Sequence, residues 1–278
     1  MWNSIKHLDR LLRGDATNIN ELRGGMLNVP VVGLTFLIVV LGMIYGACMG
    51  LFAILGSGSG KWVQVPASMA KVPALFLLTL IVTFPSLYVF NALVGSRLTF
   101  SAVLKLLIGA MAVMLAVLAS LGPIVAFFSV STTSYAFIKL LNVLVFALSG
   151  FLGLAFLLQT LHRISVADQI EYARRAPPPV PPGENVDANV PPDLPVPAIS
   201  SSSMGALDRL DGQVLGPHVK AIFRIWVIVF GLVGAQMGWV LRPFIGAPDQ
   251  PFTLFRERRG NFFQAVWEQI VSMLRGGG

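Results

Sequence analysis

The side chains that usually carry chemistry are few in this 278-residue chain, and their spacing does not form a catalytic set. The three histidines, His7, His162 and His218, are far apart and have no paired spacing for a metal. The single cysteine, Cys48, can build neither an intrachain disulfide nor a zinc site, and it reads as a packed thiol. Residues 56–61, Gly-Ser-Gly-Ser-Gly-Lys, look like a phosphate-binding loop. The motif G-x-x-x-x-G-K-[ST] needs glycine at 55 and Ser or Thr at 62, where this chain has Leu55 and Trp62. No G-x-S-x-G elbow and no Ser/His/Asp set is visible. No cofactor is expected.

Carboxylates are missing where they would matter most. Five long apolar stretches, 31–55, 72–95, 101–128, 135–161 and 219–241, contain no Asp or Glu. Proton relays, cation sites and intramembrane catalysts commonly depend on such buried acids. The polar residues inside the stretches are Thr, Ser, Asn, Gln and a few cations near the edges. Of these, Thr83, Ser86, Asn91, Asn142 and Gln236 would line a solute path, if one exists. Lys139 is expected to snorkel to the interface.

Each stretch meets the length of about 20 residues that a helix needs to cross a hydrocarbon core. With 55% hydrophobic and 12% charged residues, a soluble domain is excluded. The net charge of +7 comes from Lys and Arg near span ends, which is a membrane-anchoring pattern; nucleic-acid binding is not expected. The first apolar run is too long for the h-region of a cleavable signal and reads as a retained anchor. The expected fold is all-α: a polytopic membrane protein of five transmembrane helices, with short amphipathic interfacial helices at both ends.

The expected organisation has five parts. Residues 1–30 hold a basic amphipathic segment, with Trp2, Ile5, Leu8, Leu11 and Leu12 set against Lys6, Arg10 and Arg13. That segment suits either an anionic headgroup surface or packing on the bundle. Residues 31–161 form a four-helix membrane region, in which Pro85 predicts a kink and the Ser/Thr loop 129–134 predicts a tight hairpin. Residues 162–218 read as a proline-rich cytoplasmic loop, 219–242 as the fifth span, and 243–278 as a loop followed by an amphipathic helix. In that last helix Asn261 is the cap and Gln264 the third helical residue, a capping-box-like arrangement.

Two features point to contact surfaces. Gly42, Gly46 and Gly50 in the first span, and Gly234 and Gly238 in the fifth, are small-xxx-small steps that let helices approach closely, as are Ala112, Ala116 and Ser120. Such faces serve packing within the bundle or a dimer. The C-terminal segment combines Phe244, Phe263 and Trp267 with Arg256, Arg258 and Arg259, residue types enriched at protein interfaces and at headgroup level. The expected function is a non-enzymatic membrane subunit or scaffold that binds lipid and other membrane or soluble subunits, as a homo- or hetero-oligomer. The alternative is a channel or transporter for an uncharged or anionic solute.

The early positive charge predicts a cytoplasmic N-terminus, an opposite-side C-terminus and a bacterial inner membrane. Five spans in this orientation resemble the Yip-type family of membrane-shaping and trafficking proteins. Phe84-Pro85-Ser86-Leu87-Tyr88-Val89-Phe90-Asn91 and Gly238-Trp239-Val240-Leu241-Arg242-Pro243-Phe244-Ile245-Gly246 also look like segments of bacterial multispan proteins. The family's Tyr-Gly-Pro signature before the first span is replaced by Leu27-Asn28-Val29-Pro30. The resemblance implies a partner-binding membrane protein without catalytic residues.

Overall fold

The computed structural model describes residues 2–17, 29–55, 62–93, 100–175, 217–246, 252–255 and 260–274. Among them the regular structure is helical throughout: α1 (Trp2–Arg13), a short 3₁₀ turn, α2 (Val31–Leu55), α3 (Gln64–Leu93), α4 (Phe100–Ser131), α5 (Tyr135–Arg175), α6 (Pro217–Leu241) and α7 (Phe262–Leu274). Among the described residues, four helices are long and apolar enough to cross a bilayer, over Val31–Leu55, Gln64–Val89, Phe100–Ser131 and Tyr135–Leu161. A shorter apolar stretch, Ile225–Leu241, lies within α6. The chain is built as a multi-pass membrane protein. Its rim exposes Ile81, Phe127, Leu144, Phe151 and Ile228, each more than 60% accessible, which suits contact with lipid tails rather than water.

Central place goes to α4, whose most apolar stretch is 72% buried, against 28% in α5. Its small residues Ala102, Gly109, Ala110 and Ala112 are buried and let neighbours close in from several sides. It packs chiefly on α2 and α5, α2 also packs on α3, and α3 packs on α6. In α6, Trp226 reaches Thr83, Gly234 faces Thr79 and Gly238 faces Leu75, so the two helices run antiparallel. Against α2, Gly42 meets Pro73 and Gly50 meets Val65, again antiparallel. The start of α2 and the end of α6 therefore lie at opposite ends of the bundle. Ser4 of α1 abuts Gly33 at the first end, and Trp239 Nε1 bonds the Gly260 carbonyl just before α7 at the other.

Local chemistry explains the helix ends. Ser134 Oγ accepts from Phe137 N at 3.3 Å and caps α5 after the expected hairpin turn. Gly14 closes α1 at φ 81°, a conformation that favours glycine. Asn261 Oδ1 accepts from Gln264 N at 2.9 Å, and the Gln264 side chain turns to Glu268 at 3.0 Å. Half of the capping box is thus formed.

Three boundaries differ from the sequence reading. α4 runs on to Ser131, so the loop expected at 129–134 is reduced to 132–134; Ser129 and Ser131 bond carbonyls four residues back within the helix. The helix expected to give way to a linker at 162 continues to Arg175, because residues 162–175 lack Gly and Pro: their polarity ends the apolar span without ending the helix. The proline-rich stretch 176–197 lies outside the described residues. The second helix starts at Gln64 rather than 72. Gln64, Ser68 and Lys71 dilute the apolar run but keep the helix, and Pro66 falls in the first turn, where a missing N–H costs nothing. Pro85 lies inside the continuous α3. Nearby, the Thr83 carbonyl accepts from Ser86 Oγ at 2.7 Å and Trp226 Nε1 at 3.3 Å, while the carbonyl that Pro85 leaves without its helical donor is that of Ile81, four residues back.

Candidate functional site

Gln64, Ser68 and Lys71 occupy positions i, i+4 and i+7 of α3, which puts them on one helix face. All three are buried, with Lys71 only 5% exposed. They face the backbone that follows α6. Gln64 Nε2 donates to the carbonyls of Pro243 (3.1 Å) and Phe244 (2.9 Å), and Ser68 Oγ also bonds Phe244 O. Lys71 Nζ donates to Pro243 O at 3.0 Å and to Leu254 O, and it lies 5.2 Å from the Phe255 ring centroid. A cation withdrawn from water here gains carbonyl dipoles and an aromatic face. The row works as a clamp on the C-terminal segment. Lys71 directly precedes the apolar stretch 72–95 and by sequence counts among the Lys and Arg near span ends. Its burial two turns into α3 corrects that, and only the fold brings 243 and 254 to it.

Beside the clamp, the Arg242 guanidinium stacks 3.5 Å from the Trp239 ring centroid. Phe244 is half-buried against the core, so its ring is turned inward rather than offered to a partner. Phe252, Leu254 and Phe255 are exposed. In α7 the apolar face expected from the sequence, Phe263, Val266, Trp267, Ile270 and Leu274, is mostly turned outward: Phe263, Trp267 and Ile270 are exposed, Trp267 by 67%, while Val266 is half-buried beside Phe262 and Ala265. The helix touches α5 and α6 with its inner side. Arg256, Arg258 and Arg259 lie outside the described residues.

The glycine faces are taken up inside the chain. A Cβ on Gly46 would lie 2.5 Å from the Ser68 carbonyl oxygen, and one on Gly50 would lie 2.9 Å from Val65 Cα; one on Gly42 would meet Pro73 at 3.1 Å. Only glycine allows α2 and α3 this close. Gly234 and Gly238 also look at α3, but a Cβ there would make ordinary contacts of 3.6 and 3.9 Å. In α4, Ala112 is buried and Ser120 exposed. Sequence reasoning missed Gly153, where a Cβ would reach Met114 Cβ at 2.7 Å and mark the α4–α5 seam. Cys48 packs opposite Gly122.

Thr83 is paired within α3, and Asn142 both within α5 and across to α2. Thr83 Oγ1 donates to the Thr79 carbonyl at 2.7 Å, and Asn142 is held between Tyr45 Oη (2.8 Å) and the Ile138 carbonyl (2.8 Å). Lys139 rests 4.7 Å from the Tyr135 ring centroid. Gln236 lines a shallow apolar recess on the outer face of α6, and the side chain of Asn91 lies outside the described residues. Between α3, α4, α5 and α6, a cavity of about 20 Å³ is lined by Leu80, Met111, Met114, Leu157, Trp226 and Phe230, among others. That is room for about one water, in apolar surroundings. Among the described residues no group of three His, Cys, Asp or Glu could hold a metal ion. No family model, curated protein or solved structure matches this chain.

Proposed function

We propose that this chain is a non-enzymatic, five-span subunit of a bacterial inner-membrane assembly, with α6 as the fifth span and the N-terminus cytoplasmic. It binds a partner subunit through its C-terminal segment. One observation carries the reading: the clamp of Gln64, Ser68 and Lys71 fixes this segment to the bundle while α7 leaves Phe263, Trp267 and Ile270 exposed. A segment held by buried polar groups and presenting an aromatic stripe is suited to docking. The glycine faces form no part of this surface, because α3 covers them. The hydrogen bonds that occupy Thr83 (to Thr79) and Asn142 (to Tyr45 and Ile138) and the small apolar cavity weigh against a solute path. A partner-binding role is also what the resemblance to Yip-type proteins implies.

Two experiments test this proposal. A photo-crosslinker at Trp267 should join one defined protein in native membranes, whereas one at Ile228 should not. Combining Phe263→Ala with Trp267→Ala should release that protein, roughly tenfold or more in recovery, with the bundle still folded. If the double variant fails to insert or melts early, α7 is a structural rim and the interface is wrong. For topology, with Cys48→Ala as background, cysteines at Asn3 and Ser202 should label from the cytoplasm and one at Trp62 from the other side. Ser202 and Trp62 labelling from one side would rule out five spans.

A further inference from the structure

The outer face of α1 has three parallel strips rather than two. At 100° per residue, Ser4, Leu8 and Leu11 form one strip, and all three are buried. Next to it Ile5, Leu12 and Trp2 form an apolar strip left 38%, 51% and 70% exposed. Beyond that stand Lys6, Arg10 and Arg13, all exposed. Asp9 falls on the Trp2 side of the apolar strip, next to the basic one, and Arg13 Nε bonds it at 2.9 Å, which neutralises the acid there. The Lys6 ammonium lies 6.0 Å from the Trp2 ring centroid, a pairing of the kind found at headgroup level.

Position completes the argument. By Ser4 against Gly33, α1 is fixed at the end of the bundle where α2 begins. The first residues of α2 on the outer side, Val32 and Phe36, are 84% and 54% exposed, as lipid-facing residues are. The free strip of α1 therefore lies where hydrocarbon gives way to headgroups. A packed helix would need only the first strip, and a free surface helix would not bury Ser4 and Leu11. We propose that α1 docks its Trp2/Ile5/Leu12 strip into an acidic phospholipid leaflet, with Lys6, Arg10 and Arg13 over the phosphates. The inference rests on the membrane reading above and gives it a lipid class.

The test uses the full chain carrying Cys48→Ala and a spin label at Leu12→Cys. It is reconstituted in vesicles of phosphatidylcholine alone or with phosphatidylglycerol at ~30 mol%. With phosphatidylglycerol the label should be open to oxygen and shielded from a water-soluble nickel chelate. In phosphatidylcholine alone, nickel accessibility should rise roughly fivefold, as expected when basic side chains lose an anionic surface. Replacing Lys6, Arg10 and Arg13 together by Gln should erase the difference between the two vesicles. A label equally exposed to nickel in both would overturn the proposal. So would a label shielded in both and in the triple variant, or one shielded only when other membrane proteins are present, which would mark an acidic protein partner. A second label at Ile228→Cys separates the two claims: exposure to nickel there would defeat the membrane reading itself, while shielding there leaves α1 as the question.

Discussion

Gly46→Leu should lower the melting temperature in detergent by about 6–12 °C, corresponding to about 3 kcal/mol or more. The obstacle is backbone. A Cβ at this position would lie 2.5 Å from the Ser68 carbonyl oxygen and 2.8 Å from Met69 Cα, and neither atom can rotate aside as a side chain would. Relief requires α2 and α3 to separate, and a gap of about 0.5–1 Å forfeits a quarter to a half of each pairwise attraction along the seam. In lipid no hydrophobic term makes up this loss, since the tails are as apolar as the side chains. Gly231→Leu provides the contrast, because nothing lies within 4 Å of a Cβ there. Gly234→Ala should also be mild. If Gly46→Leu and Gly231→Leu melt together, the close approach of α2 and α3 is wrong.

Lys71→Met should loosen the C-terminal segment without unfolding the bundle. Methionine keeps most of the aliphatic stem, so packing changes little, but the carbonyls of Pro243 and Leu254 each lose a donor. An acceptor left without any partner when buried costs about 1–3 kcal/mol; here Pro243 O keeps Gln64 Nε2 and Leu254 is 52% exposed, so the loss falls at the low end and is partly offset because an ammonium no longer has to be desolvated. The expected net effect is a local opening made easier by about 1.4 kcal/mol, read as a tenfold loss of hydrogen-exchange protection across 242–255. Gln64→Ala should act in the same direction through Pro243 and Phe244. Protection that stays at the parent level in both variants would mean that the segment is held by other contacts, and the clamp would lose its role.

The glycine spacing and the lysine illustrate how far the sequence reaches. Gly42, Gly46 and Gly50 announce a close helix contact, because only a face without side chains lets backbones meet. They do not name the neighbour. Packing within the bundle and a dimer face use the same residues, and α3 is chosen by the shape of Pro73, Ser68 and Val65. The Gly234 and Gly238 pair has the same spacing and no comparable closeness. Lys71 reads as an edge charge because its partners are backbone carbonyls some 172 and 183 residues away, and backbone carbonyls carry no sequence signal. Gly153 follows Ser149 by four residues, a small-xxx-small step that signals the α4–α5 seam and that the reading of the sequence passed over.

What the sequence by itself determined is local. Apolar length marks five stretches, of which four are helices long and apolar enough to cross a membrane and the fifth is the shorter Ile225–Leu241; Asn261 marks the start of α7, and the sided pattern of residues 2–13 marks α1. These follow from properties that each helix carries alone: its hydropathy, its cap and its period. Tertiary structure decided the central place of α4, the antiparallel seam of α3 with α6, and the carriage of the C-terminal segment on Lys71. The physical reason is that helices with equally apolar surfaces gain little from burial as such. Their order is set by many small dispersion contacts and a few hydrogen bonds between residues far apart in the chain, and those exist only once the helices meet.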